Sequence, residues 1–355
     1  MREIIDIDGS LKSGSGTIVR HCLSLASILR RELRMRNIRA KRRKPGLRPQ
    51  HLKAVEACCM LTGGTAERAA VGSSEIVYTP GEVIRHGEFN WDIGTAGSTT
   101  MMALCLLPLG CFAGQKSYYT ISGGVFQDFA PNAFHTGHVL LPLLNRYGIT
   151  ADLRVIQPGY VPRGGGTVRL DVEPVIGRLK PVRLPRQGRI TGISGIAVAS
   201  HLTERRVSQR MADACTKTLK ESGYPSEITT IEDHTSNQPG AGLFISAKTD
   251  TGCIIGADMA GKIGRSAEYI GARVAQALLE DIRAGATVDR HTADQLILYA
   301  ALAEGETEYV IPAMNDHIDA NLWLVEHILD AQVRVEKGRI SIGGIGFERS
   351  SCVRT

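Results

Sequence analysis

Two glycine-rich turns, Gly14-Ser15-Gly16-Thr17 and Gly94-Thr95-Ala96-Gly97-Ser98, each open an apolar helix, and they lie about 80 residues apart. Behind each turn the hydrophobic period changes in the same order. After the first come an apolar helix through Cys22 to Ala26, a strand over 35–38 and a helix over 50–61. Gly63-Gly64 closes that helix, and two strand-like segments precede Pro80. After the second come a helix over 101–109, a strand over 118–122, a helix over 132–147, and strands over 150–156 and 167–172. A shorter third copy starts at His291, with a helix to Leu302, a strand over 308–311, a helix over 320–329, and strands over 333–336 and 339–342. A unit of two helices and about four strands has one apolar sheet face, which its own helices or its neighbours must cover.

The predicted fold class is therefore α/β (α+β): three repeated units of two helices on a four-stranded sheet, plus an inserted smaller α/β domain. The insertion is expected over 182–280, where the rhythm breaks. That stretch reads as a strand over 190–198, a helix over 204–221, strands over 227–231, 242–247 and 252–257, and a helix over 267–282. Residues 1–181 and 281–355 would form the repeat-built domain. The first helices of the three units start near 14, 94 and 291, and packing like units together is expected to bring these anion-favouring ends towards a common centre.

With 355 residues, 43% of them hydrophobic, the chain can bury a core of this size, and aromatics at 5% make that core mainly aliphatic. No run of 18 apolar residues appears and no secretory leader is seen, so no membrane partner and a cytoplasmic location are expected. The eight cysteines form no Cys-x-x-Cys pair and sit mostly among apolar residues, as buried reduced thiols would, which argues against a zinc site. The net charge of +6 is unevenly spread. Residues 33–55 hold nine Lys or Arg and no acid. Pro45, Gly46 and Pro49 interrupt this stretch and favour a folded basic loop facing a polyanion over a plain solvated helix.

His291 lies in Asp289-Arg290-His291-Thr292-Ala293-Asp294-Gln295-Leu296, just ahead of the third apolar helix. A lone histidine is more often structural than catalytic. At a helix start, however, it can offer a ring nitrogen to an anion that the helix N-terminus helps to hold, and a nucleophilic histidine would carry a phosphate-linked group on nitrogen. Gly14-Ser15-Gly16 alone is weak evidence for a nucleotide, since no Gly-Lys-Ser/Thr follows as in a P-loop. The other histidines, among them His135, His138, His201 and His234, are read as surface or packing residues, and His317 and Asn321 as structural.

Several motifs together resemble the RNA 3'-terminal phosphate cyclases. They are Arg39-Ala40-Lys41-Arg42-Arg43-Lys44-Pro45-Gly46-Leu47 with Gln50-His51-Leu52, and Gly159-Tyr160-Val161-Pro162-Arg163-Gly164-Gly165-Gly166. To these are added Asp8-Gly9, Arg20, the Gly94 turn, Ser122-Gly123-Gly124, Ala130-Pro131, and His291 with Ala293-Asp294-Gln295-Leu296. The resemblance spans nearly the whole chain. It implies an ATP-dependent ligase that acts on RNA with a 3'-phosphate end, with a divalent cation (Mg or Mn). His291 would take AMP from ATP, AMP would pass to the RNA 3'-phosphate, and the 2'-hydroxyl would close a 2',3'-cyclic phosphate. By the same resemblance Arg20, Arg39 and Arg42 bind phosphates, and Gln50 and His51 donate hydrogen bonds near them. Pro131 packs against adenine, the glycines at 164 to 166 make a tight turn, and Asp294 and Gln295 orient the helix start or His291.

The sequence departs from that pattern at four places. Ser13 stands where the family carries a metal-binding glutamate, Thr17 and Leu104 replace glutamines, and Pro158 replaces a basic residue. Loss of the carboxylate is expected to weaken Mg²⁺ binding, because that cation prefers charged oxygen ligands, and the metal ligands stay open. Two alternatives remain at this stage: a cyclase-like non-catalytic protein of RNA binding and ribosome assembly, and adenylyl transfer to other nucleic-acid phosphate ends.

Overall fold

The computed structural model describes residues 4–128 and 130–349; Cys352 lies outside them. The first sheet is built from β1 (Ile4–Asp8), β2 (Glu32–Arg36), β3 (Thr65–Glu67) and β4 (Ile76–Thr79), in the order β1-β2-β4-β3. Its helices are α1 (Gly16–Leu29) and α2 (Pro49–Thr62). Ser15 caps α1, and α2 ends on Gly63 in the left-handed region at φ 65°, where a residue without Cβ fits best. The second sheet holds β5 (Gly87–Asp92), β6 (Ser117–Gly123), β7 (Ala151–Gln157) and β8 (Gly166–Val172), in the order β5-β6-β8-β7. Its helices are α3 (Thr99–Cys111) and the pair α4 (Ala133–His135) and α5 (Leu141–Asn145), which a π-helical segment, Thr136–Leu140, joins. The single helix predicted over 132–147 is thus one helix with an inner change of pitch.

Next comes β9 (Arg183–Leu184), followed by a separate sheet of β10 (Ile190–Ser200), β11 (Ser226–Asp233), β12 (Gly240–Thr249) and β13 (Ile254–Ala260), in the order β11-β10-β12-β13. Helices α6 (Val207–Glu221) and α7 (Ala267–Arg283) pack on each other and on this sheet. The chain then returns through α8 (Thr292–Leu302), β14 (Glu304–Val310), α9 (Asp316–Leu329), β15 (Gln332–Glu336) and β16 (Arg339–Ile345). The last sheet runs β15-β16-β14-β9. In the first, second and last of these sheets, the first strand in sequence is parallel to the second, the second antiparallel to the fourth, and the fourth antiparallel to the third.

Two boundaries differ from the sequence expectation. Residues 183 and 184 pair with Glu308 and Tyr309 of β14, so they belong with the last sheet rather than with the segment expected from 182. Helix α7, expected over 267–282, runs to Arg283 and so passes the end of the insertion expected at 280. Two separate apolar cores accompany this arrangement. One is shared by the three like sheets; the other, with Met211, Leu243, Ile245 and Val274, lies between β10–β13 and helices α6 and α7. Every residue of α3 and of α8 is buried, as a helix apolar on all sides must be. Helix α1 packs against α2, α3 and α9, and α9 packs against α8. The starts of these central helices frame the site.

Candidate active site

His291 immediately precedes α8, but it is not the residue that caps it. Asp289, fully buried, accepts the amides of His291 (2.9 Å) and Thr292 (2.8 Å) on Oδ1, and its own carbonyl accepts the amide of Ala293. Its Oδ2 accepts the Thr292 hydroxyl and the amide of Gly256 in β13, both at 2.9 Å. The helix N-terminus expected to hold an anion is thereby occupied by a side-chain carboxylate. His135 of α4 lies with Nε2 at 3.1 Å from Asp289 Oδ1, and its ring meets that of His291 edge-on at 5.6 Å. Burial alone would raise the Asp289 carboxyl, yet His135 and His291 hold it well below the usual carboxylate range. His135 is thus a buried partner of the candidate nucleophile and not a surface residue.

The imidazole of His291 keeps about a third of its surface open (32%), and its Nε2 faces Asp258 Oδ1 of β13 at 3.7 Å. The other oxygen of Asp258 accepts the Asn132 amide at 2.7 Å, directly after the buried Pro131, whose carbonyl accepts the Thr100 hydroxyl. Withdrawal from water pushes the His291 imidazole below its ordinary value, and His135 adds to this against the opposing pull of Asp258. Near pH 7 the ring is therefore neutral, with a lone pair available.

The facing wall comes from α1 and α2. The Arg48 amide donates to His51 Nδ1 (3.2 Å), which leaves Nε2 as the protonated nitrogen. That nitrogen sits against Gly16, where a Cβ would overlap it, so glycine is required there for the α2 start to close on the α1 start. Burial, with Arg20 and Arg39 nearby, brings the His51 imidazole down to about 3. Gln50 Oε1 accepts the Ser98 amide (3.1 Å) and so ties this wall to the second glycine-rich turn. Arg20, half-buried on α1, donates to the Thr17 hydroxyl (3.3 Å) and acts electrostatically on His21, His51, Asp294 and His317. Partial withdrawal from water, then Arg20 and Arg42, lower the His317 imidazole, and His291 lies within the same field.

Arg39 is held differently. Its guanidinium donates to the carbonyls of Lys44 (2.8 Å) and Gly46 (2.9 Å), so it braces the basic loop. Arg42, Arg43 and Lys44 are exposed on that loop and pair with no carboxylate among the described residues. In the second glycine run, Gly164 and Gly165 have φ of +75° and +68°, and a Cβ on Gly164 would strike the backbone of Thr95 and Ala96. The turn expected there seats the loop on the Gly94 turn. Arg20 acts on His51 and on Asp294 of α8, and Arg20, Arg42 and His291 all act on His317, while Gln50 joins the α2 start to the Gly94 turn and Pro131 directly precedes the Asn132 amide that Asp258 holds.

The RNA 3'-terminal phosphate cyclase family matches this chain over residues 11–335. The chain belongs to that family. Its relatives include the RNA 3'-terminal phosphate cyclases of Pyrobaculum neutrophilum, 34% identical over 97% of this chain and 99% of that one, and of Nitrosospira multiformis, 37% identical over 93% of each. Among solved structures, EPSP synthase from Acinetobacter baumannii aligns with 96% of this chain and 65% of its own at 14% identity and a TM-score of 0.32, too slight a likeness to bear on the argument.

Ser13 is buried, and its hydroxyl bonds that of Ser15 (2.9 Å), which in turn meets His317 Nδ1 at 3.4 Å. Leu104 lies within the shared apolar core, beside the α1–α3 contact that Ser24 makes with Cys105. Among the described residues no group of three or more His, Cys, Asp or Glu is placed to hold a metal ion. Two neutral hydroxyls are poor ligands for a hard cation, so these residues do not form a protein cage for one. The cationic and hydrogen-bonding groups of the α1 and α2 wall do suit a polyphosphate. Among the described residues no helix is long and apolar enough to cross a membrane, and seven cysteines are free, six of them buried.

Proposed function

We propose that this protein converts an RNA 3'-terminal phosphate to a 2',3'-cyclic phosphate at the expense of ATP, with His291 as the covalent carrier of AMP. Nε2 of the neutral imidazole attacks the α-phosphorus, the bond to the bridging oxygen of the β-phosphate breaks, and pyrophosphate leaves. Attack places positive charge on the ring, which Asp258 at 3.7 Å offsets. The RNA 3'-phosphate then takes the AMP, which gives it the leaving group that a phosphate monoester lacks. The adjacent 2'-hydroxyl closes on that phosphorus and expels AMP, a step favoured because it is intramolecular.

Arg20 and Arg42 are the cations that hold the polyphosphate, and the Nε2–H of His51 donates to it. Gln50, bound to the Ser98 amide, keeps the two glycine-rich turns together. Pro131 lies on the side expected to receive adenine. Arg39 acts through the loop that it braces. A divalent cation, Mg²⁺ or Mn²⁺, accompanies the ATP phosphates, and a cytoplasmic location completes the reading.

The observation that carries this proposal is the family-wide match together with a neutral, partly open imidazole on an otherwise buried carboxylate–histidine framework. Its test is incubation with α-labelled ATP and Mg²⁺ or Mn²⁺, followed by denaturing electrophoresis. Acid-labile, alkali-stable label on the wild type that disappears in His291→Ala is expected, as is conversion of a 3'-phosphate RNA, but not a 3'-hydroxyl RNA, to a phosphatase-resistant end. Absence of label with either metal would overturn the covalent step and leave the non-catalytic RNA-binding reading.

A further inference from the structure

A cleft of about 660 Å³ opens between the Gly159–Gly166 loop and the inserted sheet with its helices, and its lining includes Arg163, Arg205, Arg210, Lys262 and Arg265 but no carboxylate. Arg210 is paired to Glu268, and Arg265 to Asp128 in a two-pronged contact of 2.9 and 3.1 Å. Arg163, Arg205 and Lys262 are exposed and have no carboxylate partner among the described residues. Near Arg265, on which it acts electrostatically, Tyr269 is 54% exposed on the first turn of α7. Cations along a groove with an open aromatic face suit a single strand, whose phosphates take the charge and whose bases stack.

The cleft is joined to the site through few residues. Arg265 holds Asp128; a short way along the chain the Asn132 amide holds Asp258, and Asp258 faces His291. We propose that this cleft binds the single-stranded RNA leading to the terminal phosphate, so that the inserted domain supplies the grip on the body of the substrate while the α1 and α2 wall holds its end. This inference rests on the RNA-end reading above.

The test uses the full chain and its Arg163→Gln/Lys262→Gln variant, without ATP. The probes are labelled oligoribonucleotides of about 4 and about 16 nucleotides with a 3'-phosphate, lengths that span single-strand site sizes. Each lost phosphate contact lowers the salt slope by about 0.7, which at 0.1 M salt is about fivefold in affinity. The wild type is expected to bind the longer RNA more tightly. The variant should bind it about 25-fold more weakly with a slope smaller by about 1.4, while its affinity for the short RNA and its self-labelling by ATP stay as in the wild type. Tyr269→Ala, an exposed change, should cost the longer RNA about tenfold.

An unchanged affinity for the long RNA overturns the proposal, and so does an equal loss for both lengths. Competition by polyglutamate as effective as that by RNA also overturns it, in favour of an acidic protein partner. Length-dependent binding in a protein that never labels with ATP would sink the covalent mechanism and leave the cleft standing; labelling without length dependence would do the reverse.

Discussion

Asp289→Ala tests whether the start of α8 is reserved for a side-chain cap. Four donors lose their acceptor in this variant: the amides of His291, Thr292 and Gly256 and the Thr292 hydroxyl. The hydroxyl can rotate to another acceptor, and the His291 amide lies on a partly open turn, so the amides of Thr292 and Gly256 carry most of the loss. A buried donor left unmet costs about 1–3 kcal/mol, which gives about 4 kcal/mol for the pair. Asp289→Asn keeps the shape and one acceptor oxygen, but turns an NH₂ towards the Gly256 amide. It orphans one donor and should cost about 2 kcal/mol. Urea denaturation followed by circular dichroism reads both, and the expected order of stability is wild type, then Asn, then Ala.

Self-adenylylation provides the functional arm. A displacement of His291 by about 1 Å is worth roughly a hundredfold in rate, so the alanine variant should label about a hundredfold more slowly and the asparagine variant less severely impaired. If both variants lie within about 0.5 kcal/mol of wild type, or alanine is no worse than asparagine, Asp289 does not cap α8. The amides at that helix start would then be free for an anion after all.

His51 stays neutral in the folded protein down to about pH 3, while in the unfolded chain it protonates near 6.5. Its contribution is therefore complete above 6.5 and declines by about 1.4 kcal/mol per pH unit as pH falls towards 3, so His51→Gln should flatten that acid limb in urea titrations. Asp294, which burial raises to about 7, works in the opposite sense, its contribution fading as pH rises from about 4 to 7; an acid limb equally steep with and without His51 would refute the assignment. Because Ser13 offers no carboxylate, labelling by ATP should stop in excess chelator, and Ser13→Glu should lower the divalent-cation concentration that labelling needs; full labelling in chelator contradicts this. Charge reversal at the exposed Lys41 and Arg43 should weaken RNA binding and lower its salt slope while leaving self-labelling intact; unchanged RNA binding would make the loop a merely solvated face.

Much of this architecture is legible because strong periodic signals lie where packing agrees with them. Helix α2 is expected over 50–61 and spans Pro49–Thr62, the strand over 150–156 is shifted by one residue, and the strand over 167–172 gains one residue at its start. Elements with little apolar content are harder to read. In β5 only Trp91 is buried, and β9 is two residues long and gains its identity solely from pairing with β14, far along the chain. The candidate site divides in the same way. Asp289 sits three residues before Thr292, a spacing that local capping chemistry could have exposed. Asp258 and His135 reach His291 from other elements, and no local pattern announces either contact. The π-helical segment after His135 likewise has no period of its own in the sequence.

The place of β9 sets an order of events during synthesis. This strand leaves the ribosome well over a hundred residues before β14, the strand that it must join. All of β10 to α7 is made in between, including the Asp258 that faces His291. A nascent chain can pair the strands of its first two sheets early, but the surroundings of His291 close only after the intervening domain has emerged and β14 has captured β9. Such a pairing, distant in sequence, is slow to find. A chain truncated before β14 would therefore leave β9 without the strand it pairs with, and α1 and α8 without the α9 that packs on both.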